Sequence, residues 1–122
     1  MSKNALVIED ENIVALDLKI KLENLGFKVP HLISSGEEGV KKALEQQPDL
    51  ILMDIILKGE MNGIEAAQKI LETLNIPIIF ITANTNKALL ESGVEAKYFI
   101  PKPFNKEILE STIKESLKNT GD

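Results

Sequence analysis

Short apolar runs alternate along the chain with longer segments of helical spacing, and this alternation restricts the fold more than any other feature. The apolar runs occupy residues 5–8, 29–33, 50–53, 78–81 and 98–100, and most are β-branched and nearly continuous. Runs this short and this apolar read as strands covered on both faces. Helical patterns fill residues 13–25, 37–46, 63–74 and 106–117, with a weaker one at 87–92. Punctuation agrees: Gly26 closes the first helical segment, Pro48 follows the second, and Asn105 stands where it can cap the last. Five strands alternating with five helices predict an α/β protein, a three-layer (βα)5 sandwich around a parallel five-stranded sheet. Right-handed crossovers leave few strand orders, of which 2-1-3-4-5 is the common one at this size. With 122 residues and no repeat or linker, the chain is expected to form one domain over residues 1–122.

Composition narrows the function. A formal net charge of −5 argues against a broad footprint on nucleic acid or anionic lipid. The absence of cysteine excludes disulfides, thiolate metal sites and a cysteine nucleophile. No apolar run approaches the roughly 18 residues of a membrane span, and the start MSKNALVIEDE has no long apolar core. A cytoplasmic location is expected.

The first helical segment carries two apolar stripes. At about 100° per residue, Val14, Leu18, Leu22 and Leu25 share one face, suited to packing on the sheet. Ile13, Leu16 and Ile20 fall on the opposite side. Scattered surface aliphatics are ordinary, but a second stripe is also a candidate docking surface.

The first strand ends abruptly in three acids, Glu9, Asp10 and Glu11, and the third ends in Asp54, flanked by Met53 and Ile55. Adjacent carboxylates repel, and a lone buried carboxylate is costly. In the expected sheet these strands are neighbours, and their carboxyl ends form the crevice where doubly wound sheets bind ligands. Glu9, Asp10 and Asp54 around one crevice make a hard-oxygen site suited to Mg²⁺ (or Mn²⁺), whose charge relieves the repulsion. Glu11 is expected to be solvated at the helix start. Thr82 ends the fourth strand, and Lys102, between Pro101 and Pro103, can reach back toward Asp54. Thr82 alone could merely cap a loop and Lys102 alone could be a surface lysine; their conjunction at successive strand ends points to a site. His31, the sole histidine, reads as a strand residue away from the crevice.

With VIEDE, PDLILMDIIL, NGIEAA, ITA and YFIPKPF in order, the whole chain resembles a response-regulator receiver domain of the CheY-like family. CheY is itself an example of the flavodoxin-like fold with strand order 2-1-3-4-5. The resemblance implies a phosphorelay switch in two-component signalling. Asp54 matches the phosphoacceptor, and Glu9 and Asp10, with Asp54 and the backbone carbonyl of Ile56, match the Mg²⁺ site. Lys102 matches the lysine that pairs with the phosphoryl group, and Thr82 the hydroxyl that moves onto it. Phe99 matches the aromatic switch, and Ala83 the small residue beside the threonine. Ile56 and Asn84 match positions that set the lifetime of the acyl phosphate. The implied partner is a sensor histidine kinase or a histidine phosphotransfer protein, with a homodimer as a further expectation. No dedicated turnover is expected beyond self-phosphorylation from phosphodonors and autodephosphorylation. The implied output surface spans strands four and five with the helices at 87–92 and 106–117.

Departures from the family pattern are specific. Phe99 lacks the hydroxyl of a tyrosine switch, although Tyr98 adjoins it. The loop IILKGEMNG has no proline and is one residue longer than the commonest form, and the stretch from Thr82 to Lys102 is about two residues short. Glu95 precedes Ala96 where glycine is common, so the helix at 87–92 is expected to be short or irregular. A haloacid-dehalogenase-type hydrolase needs a second aspartate where this chain has Ile56. A flavodoxin-like nucleotide or flavin carrier needs a phosphate-binding loop where this chain has EDE. A receiver cut from a larger regulator or hybrid kinase remains an alternative to a stand-alone one.

Overall fold

The apolar runs assemble as strands in a computed structural model that describes residues 3–83 and 98–120. Among the described residues there are six strands: β1 (Lys3–Ile8), β2 (Phe27–Lys28), β3 (Leu32–Ile33), β4 (Leu50–Asp54), β5 (Ile78–Thr82) and β6 (Phe99–Pro101). The helices are α1 (Asn12–Asn24), α2 (Gly36–Gln46), α3 (Gly63–Leu71) and α4 (Lys106–Thr120). The expected helix at 87–92, together with Asn84 and Glu95, lies outside the described residues.

All pairings are parallel, and the order is β2-β1-β4-β5-β6 with β3 also on β1. The edge strand departs from the expected pattern. The run at 29–33 is not a continuous strand: pairing begins at Phe27, stops at Lys28 and resumes at Leu32. Pro30 offers no backbone N–H to a ladder, so the edge strand breaks around it. His31 therefore stands between two short strands rather than within one. Counting β2 and β3 as halves of one edge strand restores the 2-1-3-4-5 order.

Strand alternation sends side chains to two separate cores. Ala5, Val7, Leu50, Leu52, Ile79 and Ile81 pack with α1 and α4. Leu6, Ile8, Ile51, Met53, Ile78 and Phe80 pack on the other side with α2 and α3. This is the three-layer arrangement that near-continuous apolar strands require. Within α1, Leu18 and Leu22 are fully buried, joined by Ala15, whereas Val14 and Leu25 are only partly covered.

Helix ends follow their local chemistry. Asn62 and Glu65 form a reciprocal capping box at the start of α3, with Glu65 N–H donating to Asn62 Oδ1 at 2.8 Å. Asn105 Oδ1 accepts from Ile108 N–H at 2.8 Å at the start of α4, as its position in the sequence suggests. α3 stops at Leu71, short of the expected residue 74; the chain leaves through turns in which Thr73 and Leu74 N–H donate to Ile70 O. The result is that β1, β4, β5 and β6 all point their carboxyl ends at one rim.

Candidate functional site

Parallel pairing gathers the predicted residues because each lies at or just beyond a carboxyl-terminal strand end. Asp54 ends β4 and Thr82 ends β5, while Glu9 follows β1 and Lys102 follows β6. Lys102 is held by the sheet itself: its N–H donates to Thr82 O at 2.8 Å. Its ammonium donates to Glu9 Oε1 at 2.9 Å and to Asp54 Oδ2 at 3.1 Å. A third contact runs to Glu11 Oε1 at 3.5 Å. The other Asp54 oxygen, Oδ1, accepts from Ile56 N–H at 3.2 Å.

Burial gives these contacts their strength. Glu9 is only 3% exposed and Asp54 6%, so each carboxylate depends on its partners rather than on water. Burial pushes the Glu9 carboxyl up to about 7; hydrogen bonds from Lys102 and from Glu11 N–H pull it down, and the nearby Asp54 charge adds to the rise. For Lys102, burial disfavours the ammonium, but hydrogen bonds to Glu9 and Asp54 outweigh that effect and hold it above the usual lysine range. One ammonium thus faces three carboxylates, and an excess of negative charge remains.

Oxygen atoms of Glu9, Glu11 and Asp54 lie within 4.8 Å of one another. This all-oxygen set, overloaded with negative charge, fits a hard divalent cation. Asp10, half-buried at the end of the same acidic run, is not among these three, and Glu11, expected to be solvated at the helix start, is. Glu11 also adjoins the start of α1, as expected, while its N–H donates to Glu9 Oε2 at 3.1 Å. That turn back onto Glu9 draws Glu11 toward the crevice, and only the i, i+2 spacing of the two acids hinted at it.

The remaining predicted residues surround this centre. Thr82 is buried at 1% exposure. Strand alternation puts Thr82 on the same sheet face as Phe80, and Phe99, paired with Phe80, packs into the core on that side. Tyr98 packs into the opposite core. Ile56 is 57% exposed directly after the site. Ala83 lines an open groove of about 550 Å³ with Ile13, Val14, Lys102 and Phe104. Ile13, Leu16 and Ile20 are all exposed, Ile13 at 85%. Ile13, at one end of the candidate docking stripe, therefore shares a groove with Lys102.

A family model described as response regulator receiver domain matches residues 5–114. The Phyllosphere-induced regulator PhyR of Methylorubrum extorquens is 36% identical over 118 residues, covering 96% of this chain and 44% of that protein. The solution structure of the PhyR receiver domain from Erythrobacter litoralis superposes with a TM-score of 0.90 at 30% identity, covering 99% of this chain and 94% of that one. A receiver domain of the sensor histidine kinase PA1611 from Pseudomonas aeruginosa, described with a magnesium ion in its active-site cleft, superposes with a TM-score of 0.84 at 27% identity. It covers 97% of this chain and 99% of that one. The chain spans about half the length of the curated relatives it matches. No helix among the described residues is long and apolar enough to cross a membrane.

Proposed function

The chain belongs to the response regulator receiver domain family, and from that premise we propose that it is a phosphorylation-dependent switch whose acceptor is Asp54. The observation that carries the reading is Lys102 Nζ bridging Glu9 and Asp54 across the ends of β1, β4 and β6. One Asp54 oxygen attacks the phosphorus of a phosphohistidine or a small acyl phosphate. The new bond is carboxylate oxygen to phosphorus; the bond from phosphorus to the donor nitrogen or oxygen breaks, and its electron pair leaves with the donor. Lys102 neutralises charge on the transferring phosphoryl oxygens, the main catalytic need in a reaction of this kind.

Magnesium (or manganese), held by acids of the Glu9, Asp10 and Glu11 run with Asp54 and the Ile56 carbonyl, would supply further neutralisation of the phosphoryl oxygens. The family relation supports the rest of the cycle. The Thr82 hydroxyl turns onto the acyl phosphate, and Phe99 shifts into the space it leaves, beside the small Ala83. The face around β5, β6 and α4 then repacks, so one phosphoryl group biases a population of two arrangements.

The donor is a sensor histidine kinase or a histidine phosphotransfer protein, and its helix docks on Ile13, Leu16 and Ile20. The groove joining that stripe to Lys102 supports this placement, because the donor must reach Asp54 without leaving the helix it docks on. Within a longer regulator, the same switch would act on attached domains.

Incubation with a small acyl-phosphate donor and Mg²⁺, followed by intact mass measurement, tests the reading. Wild type gains one phosphoryl group and Asp54→Asn gains none. Equal labelling of both proteins, or of neither, contradicts it.

A further inference from the structure

The loop between Asp54 and α3 is tied to the start of α2 by a contact that the phosphoacceptor reading does not use. Near Asp54 the loop is fixed by its own backbone, with Gly63 N–H donating to Ile55 O at 2.7 Å. Its crest has no such support. Instead, Glu60 N–H donates to Glu37 Oε2 at 3.2 Å, and a bridge pairs Lys58 with Ser35. Gly59 adopts φ +94°, and a Cβ there would lie 2.9 Å from Glu37 Oε1. The backbone of Met61 packs equally closely on Gly36, leaving no room for a Cβ. Glu37 is the one side chain among the described residues that reaches the crest with a hydrogen bond. A loop that lacks proline, and so lacks that source of stiffness, is stiffened from outside.

We infer that Glu37 is a positioning residue for the phosphoacceptor: by clamping Gly59 and Glu60 it holds the Asp54–Ile56 segment in register with Lys102. The chain between clamp and site is short. Ile56 N–H orients Asp54 Oδ1, Leu57 is buried in the core, and Glu37 fixes the crest just beyond it. Loosening the crest frees Ile56 to move off Asp54, which misaligns the acceptor oxygen and admits water to the acyl phosphate. This inference rests on phosphorylation at Asp54.

The test compares Glu37→Ala, Glu37→Gln and Glu38→Ala with wild type. Glutamine keeps an oxygen to accept the Glu60 N–H. Glu38 carries the same charge in the same helical turn, and its substitution controls for the helix dipole. Glu37→Ala is expected to slow labelling by an acyl-phosphate donor and to hasten loss of the phosphoryl group, each by roughly threefold to fivefold, the scale of one exposed hydrogen bond. Amide exchange at Glu60 should quicken in Glu37→Ala alone, while Glu37→Gln and Glu38→Ala behave as wild type. Unchanged labelling and lifetime in Glu37→Ala, or equal effects in Glu37→Ala and Glu38→Ala, overturn the inference. A wild type that takes no phosphoryl group overturns the phosphoacceptor reading itself, and this inference with it.

Discussion

Lys102 Nζ lies 3.1 Å from Asp54 Oδ2 although the two residues are 48 positions apart in the chain. The same ammonium holds Glu9, so one side chain ties three strand ends together. Its removal should therefore be felt twice. Lys102→Met leaves two buried carboxylates without their cation and should cost about 2 kcal/mol in urea unfolding, less than a sealed ion pair because the groove is open. It should also slow phosphorylation by about 100-fold, the scale of one lost electrostatic stabiliser. Labelling at the wild-type rate would remove Lys102 from the mechanism.

Glu9 gives the site a pH signature in the absence of divalent cation. Its carboxyl rises from 4.5 to about 7 on folding, chiefly because burial disfavours the charge. The folded state thus prefers Glu9 protonated. That contribution to stability is complete below about pH 4.5 and disappears as pH rises through about 7. Glu9→Gln, which mimics the protonated form, should melt higher than wild type at pH 8 in a chelator. The gain should be on the order of 1–2 kcal/mol, reduced from the sealed-site value by access of solvent to the groove. The difference should shrink steadily toward pH 5. A constant difference across that range would show that Glu9 does not titrate there.

The exposed stripe on α1 separates donor docking from chemistry. Ile13→Asp and Leu16→Asp should each raise the concentration of phosphohistidine donor protein needed for half-maximal transfer by about tenfold, as loss of an apolar contact at an interface does. Labelling by a small acyl phosphate should stay unchanged, because a donor of that size needs no helix surface to dock on. Equal loss with both donors would point to damage at the site instead.

Ile56 stands exposed beside the acceptor, and we expect its apolar side chain to hinder water. Ile56→Asn should shorten the half-life of the phosphorylated protein by several-fold, read by intact mass after removal of donor. A half-life equal to or longer than that of wild type would refute the shielding role.

Much of this was legible in residue order. Strands buried on both faces need nearly continuous apolar runs, so residues 50–53 and 78–81 announced the sheet interior, and an aspartate at the end of one such run announced the site. The broken edge was less legible because Phe27 lies outside the run at 29–33, and only pairing with β1 reveals where that strand starts. Glu11 illustrates a second limit: helix chemistry accounts for an acid at that position equally well, and its contact with Lys102 depends on a turn fixed by its backbone bond to Glu9. Glu37 gave no sign at all, since an acid in a first helical turn is ordinary and its partner lies 23 residues away.

Trapping the phosphorylated protein with borohydride, which reduces an acyl phosphate to an alcohol, and mapping the product by peptide mass spectrometry identifies the acceptor residue itself. Conversion of Asp54 alone to homoserine, dependent on donor and Mg²⁺, is the expected result. Reduction at Glu9, Asp10 or Glu11, or a phosphoryl group found on His31 with Asp54 intact, would contradict it.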